Sequence, residues 1–394
     1  MTGALSGVRV LESTQHLAGP SCAMFLADMG AEVIKIEQPG KGDASRILGK
    51  RQNGESPMYT ALNRNKHSLT LNYKDPRAVH IFLQLAAQSD IIVENNRAGV
   101  MQRLGLGYDA VCAVNPQIIY ASISGFGQTG PYRERGGYDT IAQGMSGIMS
   151  ATGNEGAPPA KAGVPVVDIG TGLFSAYGIL AAYIHRQRTG EGQYLDMALL
   201  DCAIAFSIWE AAAVFSGDEV PIPFGSMHRR NQPHGAFKTK DGYLCIAADQ
   251  QHHWQIFCEL VGLHHLVNDP RFATNSDRLQ HRQALQQAME EVLAHKTMQE
   301  WTALLVQAGV PCGPVYRYDQ VFEDPHVQHR QMAVQVEHPK AGPMTITGTP
   351  LKLSKTPGSV RLPAPTLGQH TEAILQRLGY DAATIATYYA EGVV

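Results

Sequence analysis

The sequence predicts an α/β fold: an open, mainly parallel, doubly wound sheet joined to a smaller second domain. Three observations carry this reading. Short apolar runs alternate with stretches of helical periodicity from residue 8 to about residue 215. Proline, aspartate and glycine stand where helices should start and stop. Composition then changes over 217–233, where glycine, proline and charge interrupt the pattern. Strands that alternate with helices of about ten residues indicate βαβ units, whose strands lie parallel.

Residues 8–11 are the first apolar run. Pro20 opens a helix over 21–29, which Gly30 stops. The next strand covers 33–36 and ends at Glu37; a third covers 69–73. Asp75 before Pro76 is an N-cap with proline at the first helical position, and 77–88 carries apolar residues at helical spacing. Strands follow at 90–94 and 118–122. Beyond them 164–167 reads as a strand, 172–188 as a helix, 194–197 as a strand and 199–215 as a long apolar helix. The stretch 217–233 reads as a linker. A strand-like segment at 243–247 and several amphipathic helices then form the second domain. Short runs at 334–337, 344–346 and 351–353 read as strands; a proline-rich stretch, 357–365, leads to a terminal helical region.

The 394 residues carry 32 Lys and Arg against 35 Asp and Glu, a net charge of -3, which argues against a nucleic-acid partner held by a basic face. Hydrophobic residues make up 44% and charged residues 17%, which excludes a disordered chain. No run of about 18 apolar residues marks a membrane span, and the first residues lack the pattern of a secretory signal. The six cysteines form no C-x-x-C pair and read as reduced thiols of a cytoplasmic protein. His326 and His329 share helical spacing, but no carboxylate or cysteine set completes a metal site, and H-E-x-x-H is absent.

Chemistry is sought at the carboxyl ends of the strands, where doubly wound sheets bind ligands. The first βα turn, Thr14-Gln15-His16-Leu17-Ala18-Gly19-Pro20, holds a single glycine and so lacks the dinucleotide fingerprint. Glu37 at a strand end is either a ribose-binding acid or a solvated terminus. Asn63-Arg64-Asn65-Lys66, Lys74, Asn95-Asn96-Arg97 and Arg103 supply amides and cations near strand ends, as phosphates require. Gly125-Phe126-Gly127-Gln128-Thr129-Gly130-Pro131 and Gly136-Gly137-Tyr138-Asp139 are loop candidates for ligand contact. Asp168 follows an apolar run and precedes Gly170-Thr171-Gly172. The pattern alone favours an N-cap. The alternative is a nucleophile facing free backbone N–H groups that also stabilise an oxyanion, with glycines that admit substrate. No G-x-S-x-G elbow is present.

Five segments carry a resemblance: Gly7-Val8-Arg9-Val10-Leu11-Glu12, Leu17-Ala18-Gly19-Pro20, 27–37, Asn63-Arg64-Asn65-Lys66 and Val93-Glu94-Asn95. In these the chain resembles the class III CoA-transferases, a family with formyl-CoA transferase, carnitine CoA-transferase and α-methylacyl-CoA racemase among its members. The resemblance implies a large Rossmann-like CoA-binding domain (1–216), a linker (217–234), a small domain (235–325), and a C-terminal segment (326–394) that returns to the first. It also implies an interlaced homodimer. Asp168 takes the position of the nucleophile, which forms a mixed anhydride and then an aspartyl-CoA thioester. His16, Leu71, Lys74, Asn95, Asn96, Arg97, Arg103 and Tyr138 match CoA contacts. No cofactor is held tightly; the partners are an acyl-CoA and a small carboxylic acid.

Tyr138 stands where racemases of the family carry a catalytic histidine, and a phenol is a poor proton shuttle near neutral pH. The racemase therefore remains the alternative, as does formyl-CoA:oxalate transfer, because 224–235 lacks the glycine run of that branch. Phe237-Lys238-Thr239-Lys240-Asp241-Gly242-Tyr243, Gly309-Val310-Pro311-Cys312-Gly313-Pro314 and Gly368-Gln369-His370-Thr371 resemble the succinyl-CoA:dicarboxylate branch. Its acids include itaconate, mesaconate, citramalate, glutarate and hydroxymethylglutarate. Their second carboxylate needs a cation, expected from Arg64 or from Arg229 and Arg230.

Overall fold

In the computed structural model, which describes residues 3–394, the chain divides into two compact units. One runs to Ile148 and includes Ala162–Asp218 and Pro325–Val394. The other is Met149–Lys161 with Glu219–Asp324. The short excursion at 149–161 has no counterpart in the domain boundaries expected from sequence.

The first unit is built on six parallel strands: β1 Arg9–Ser13, β2 Glu32–Glu37, β3 Lys66–Thr70, β4 Ile91–Glu94, β5 Ile119–Ser124 and β6 Gln193–Ala198. Their order is β3-β2-β1-β4-β5-β6. Successive side chains leave opposite faces. Val10, Val33, Val93 and Ala121 therefore meet one layer, with Cys22, Leu26 and Ile179 from helices Ala18–Asp28 and Val166–Thr189. Leu11, Ile34, Ile92 and Tyr120 meet the other, with Ile81 and Phe82 of helix Pro76–Ala86 and Ile374 and Ile385 near the chain's end. Both faces are apolar, so the strands read as continuous hydrophobic runs.

Four expectations change. Residues 164–167 are not a strand: the helix begins at Val166. A short apolar run has no periodicity of its own, and here it supplies the first turn of a buried helix. The long apolar helix breaks at Ser207 into Leu199–Phe206 and Ile208–Phe215. The third strand lies three residues earlier than 69–73, because its first residues are polar: Lys66 and Ser68, which are buried, and His67, which is half-buried. Residues 351–353 belong to no element. Helix Val166–Thr189 also reaches a mean hydropathy of 1.4 and is long enough to span a bilayer, contrary to the sequence expectation. It is instead packed on Ala18–Asp28. A Cβ added at Gly172 would lie 2.1 Å from Ser21 Oγ and 2.8 Å from the Ala18 carbonyl oxygen, so only glycine lets these helices meet.

The last residues complete this unit. Ser68 N–H donates to His370 Nδ1 (3.1 Å), Gly368 N–H to Ser68 Oγ (2.9 Å) and Thr70 N–H to Thr371 Oγ1 (3.1 Å). Asn72 donates through its backbone to the Val393 carbonyl (2.9 Å) and through its amide to that of Gly392 (3.2 Å). Val393 and Val394 are buried.

The second unit has three antiparallel strands, β7 His234–Lys238, β8 Tyr243–Ala247 and β9 Cys312–Pro314. Helices Gln251–Val261, Arg282–Leu293 and Met298–Gln307 close over Trp254, Phe257 and Trp301. Thr297 and Glu300 form a reciprocal cap on the last of these. The hairpin of β10 Ala333–His338 and β11 Gly342–Thr347 belongs to the first unit.

Candidate active site

Strand order reverses between β1 and β4, and the loops that follow these two strands flank the crevice where such sheets take ligands. The loops are tied together. Gln15 N–H donates to Asn95 Oδ1 (2.9 Å), and Asn95 Nδ2 returns a bond to the Gln15 carbonyl (2.8 Å). His16 is held at φ 65°, and its N–H donates to Asp43 Oδ1 (3.1 Å). A buried charge network fixes this turn from below. Lys35 Nζ reaches Glu12 (3.0 Å), Asp43 (2.9 Å) and the Thr14 carbonyl (2.9 Å), and Lys66 Nζ reaches Glu12 (2.9 Å). Burial, with Lys35 beside it, holds Lys66 down at about 8 although Glu12 opposes the shift.

A cleft of about 180 Å³ opens at this point, lined by His16, Asn95, Asn96, Arg97, Tyr138 and Asp168. A second cavity of about 240 Å³ contains Leu71 and Lys74. Asn96 lines both, so seven of the eight residues matched to CoA contacts line one of two spaces that share a wall. Arg103, at the end of helix Val100–Arg103, lines neither. A further cavity of about 290 Å³, lined by Glu94, Tyr108, Tyr120 and Tyr194, shares Arg133 with the cleft but holds none of the predicted residues.

Asp168 sits in the first turn of helix Val166–Thr189, and that terminus is not open. Asp139 Oδ1 accepts the N–H groups of Val167 (2.9 Å) and Asp168 (3.3 Å). Val166 N–H donates to the Val164 carbonyl and Ile169 N–H to that of Pro165. Gln143 then holds Asp139, donating to its Oδ2 (2.6 Å) and accepting Ala162 N–H (2.9 Å). The cap is therefore Asp139, and the backbone donors expected to face Asp168 are engaged. The nearby glycines serve packing rather than substrate approach: a Cβ at Gly170 would lie 2.1 Å from Phe206. Burial, reinforced by the Asp139 charge, pushes the Asp168 carboxyl up to about 7. A carboxylate of that basicity in a ligand-sized cleft is a strong candidate nucleophile.

Other predicted residues lie elsewhere. Arg64 precedes β3 and therefore stands at the amino end of the sheet. It is buried, paired with Asp28 (2.7 Å), and donates to the Ala61 (3.1 Å) and Thr347 (3.0 Å) carbonyls, which removes it as a substrate ligand. Glu37 is neither solvated nor open to a ribose. It is buried and takes bonds from Arg46 (2.7 Å), Ser68 (2.7 Å) and Asp43 N–H (3.0 Å). Arg229 and Arg230 belong to the second unit, where Arg229 donates to the Ala151 carbonyl (3.0 Å). Sequence reasoning took Asp139 only as part of a ligand-contact loop and missed its role as the cap, and it missed Arg133 and Arg135. Arg133 and Arg135 line the cleft with Asp168. The one available signal was their position between two glycine-rich turns.

Comparison with known proteins places this site in context. Residues 5–371 match the family described as CoA-transferase family III. A succinyl-CoA:glutarate CoA-transferase of Mus musculus is 40% identical over 99% of this chain and 90% of its own length. A succinyl-CoA:mesaconate CoA-transferase of Haloarcula marismortui is 36% identical over 97% of this chain and 98% of its own. Among solved structures, a CAIB/BAIF family protein from Brucella suis superposes with a TM-score of 0.88, at 36% identity, over 96% of this chain and all of that one.

Proposed function

The chain belongs to CoA-transferase family III and is a CoA-transferase; from that premise we infer that it moves CoA from succinyl-CoA to a second short dicarboxylic acid through Asp168. The observation that carries this reading is the placement of a buried, unusually basic carboxylate in the same cleft as His16, Asn95, Asn96, Arg97 and Tyr138. The relatives named for glutarate and mesaconate support dicarboxylates as the acid class. Among those, pocket shape decides, and one methylene changes binding by only about 1–3 kcal/mol.

The steps balance without a net proton. An Asp168 carboxylate oxygen attacks the thioester carbonyl, the C–S bond breaks, and CoA leaves as thiolate, giving a mixed anhydride. The thiolate attacks the Asp168 acyl carbon and succinate departs, leaving an aspartyl-CoA thioester. The acceptor carboxylate attacks that carbon and expels the thiolate, forming a second anhydride. Thiolate then attacks the acceptor acyl carbon and Asp168 is regenerated. Burial makes the carboxylate basic and so a better nucleophile. The shared wall at Asn96 allows one CoA to occupy both spaces, with its nucleotide toward Leu71 and Lys74 and its thioester toward Asp168.

The homodimer belongs to this proposal. Leu173 and Tyr177 on helix Val166–Thr189, and Ile208, Trp209 and Phe215 on helix Ile208–Phe215, are exposed, which supports a protein-binding surface. The six free thiols support a reducing, cytoplasmic setting. The test is mass spectrometry of purified protein with succinyl-CoA and a panel of glutarate, mesaconate, itaconate, citramalate and formate. One dicarboxylyl-CoA should accumulate, and none with Asp168→Ala. Undiminished transfer by Asp168→Ala would remove Asp168 from the chemistry.

A further inference from the structure

Resting on that reading, we propose that Arg135 is the residue that reads the second carboxylate of the acid. The cleft already contains one carboxylate at Asp168 and has the Asp139 carboxylate bonded beneath it. A dianionic acid that brings its reacting carboxylate to Asp168 meets repulsion there unless its far end finds a cation. Three arginines line the cleft: Arg97, Arg133 and Arg135.

Only one of the three is held in a way that selects a planar anion. The Arg135 guanidinium carbon lies 4.4 Å from the Tyr132 ring centroid and 5.2 Å from that of Phe126. Those rings meet edge to face at 5.6 Å. Stacking fixes a guanidinium by its faces and leaves its edge donors to form two parallel bonds with a carboxylate. The loops that bear these groups are pinned where Gly125 and Gly137 touch. A Cβ on Gly137 would sit 2.3 Å from Gly125 Cα, so neither loop can drift from the other. Arg97 lies instead on the turn after β4 beside Asn96, which lines both cavities, and this suits a phosphate of CoA. Arg133 lies 3.9 Å from Glu134 and also lines the tyrosine-rich cavity.

Donor and acceptor acyl groups use one site in turn, so Arg135 governs both. The experiment compares wild type, Arg135→Ala and Arg135→Lys. It measures kcat/KM for glutarate and for butyrate as acceptors, and the affinity for free CoA by calorimetry. Loss of a bidentate charge-assisted contact predicts a fall of about 10- to 100-fold for glutarate in Arg135→Ala. At saturating succinyl-CoA, kcat/KM for butyrate and the affinity for free CoA stay within about twofold, since neither the butyrate half-reaction nor CoA binding uses that contact. Arg135→Lys keeps the charge but not the fork, and falls between. Retained CoA affinity also reports that the variant is folded. An unchanged glutarate-to-butyrate ratio overturns the proposal. So does weakened CoA binding with that ratio intact, which makes Arg135 a CoA contact. The same loss in an Arg229→Ala, Arg230→Ala variant, with Arg135→Ala unaffected, moves the reader to the second unit. A wild type that forms no new acyl-CoA with any acid fails the transferase reading itself, a result distinct from all of these.

Discussion

Asp168→Asn should make the protein more stable, by an amount that grows as pH rises from about 4 to about 7 and is full above that. The folded state holds the Asp168 carboxyl at about 7, against an ordinary 3.8, because it is buried and lies near Asp139. Below about pH 4 the group is protonated whether the chain is folded or not, and it costs nothing. Between these values the folded protein keeps a proton that the unfolded chain has released, so stability falls as pH rises. Above pH 7 the carboxylate is charged in both states and the full cost is present. At 1.36 kcal/mol per unit, a shift of about three units is about 4 kcal/mol. Asparagine keeps the shape and has no charge to bury. Urea unfolding at pH 8 should therefore show the variant more stable by about 2–4 kcal/mol, with the difference shrinking to about 1 kcal/mol or less at pH 4.5. An equal difference at both pH values, or a loss of stability at pH 8, would refute the argument that burial raises this pKa.

Asp139→Asn keeps one oxygen for the Val167 and Asp168 N–H groups but removes the charge. The acid limb of the kcat/KM profile should move below 7; a limb that stays put would assign the shift to burial alone. Gly172→Ala forces the two closely packed helices apart against the Ala18 carbonyl, and should cost about 1–3 kcal/mol in a denaturant melt. Lys66→Met leaves Glu12 with Lys35 alone in a fully buried site. Lys35 must then offset both Glu12 and Asp43, and a loss of about 3–5 kcal/mol is expected from the excess buried negative charge, read as a lower melting midpoint.

The sheet was legible because its strands are short apolar runs separated by standard start and stop signals. Lys66 hid the start of β3, since a buried lysine reads as surface until its partner Glu12, far away in sequence, is known. The run at 164–167 misled because apolar composition does not distinguish a strand from the first turn of a buried helix. The turns after β1 and β4 were found by position alone, as ligands bind at the carboxyl ends of parallel strands. Arg64 was misassigned by the same logic, because it stands before its strand. Asp139 and Arg135 were out of reach for a different reason. One caps a helix 28 residues downstream, and the other acquires its orientation from Tyr132 in its own turn and Phe126 earlier in the loop.

The bonds from Asn72 to residues 392 and 393 bear on how the protein is made. During synthesis all six strands of the sheet leave the ribosome before Glu219–Asp324, the larger part of the second unit, and that part precedes the closing segment. Asn72, in the wall around Leu71–Lys74, is thus braced by residues translated after the whole second unit. Until then the outer edge at β3 lacks His370 and Thr371, and Ile374 and Ile385 are missing from one apolar layer. A growing chain can complete its later-made unit while its earlier-made sheet still waits. Ligand binding at that cavity would then report that this segment has docked, and a cut within 325–394 should abolish it while leaving the distant strands intact.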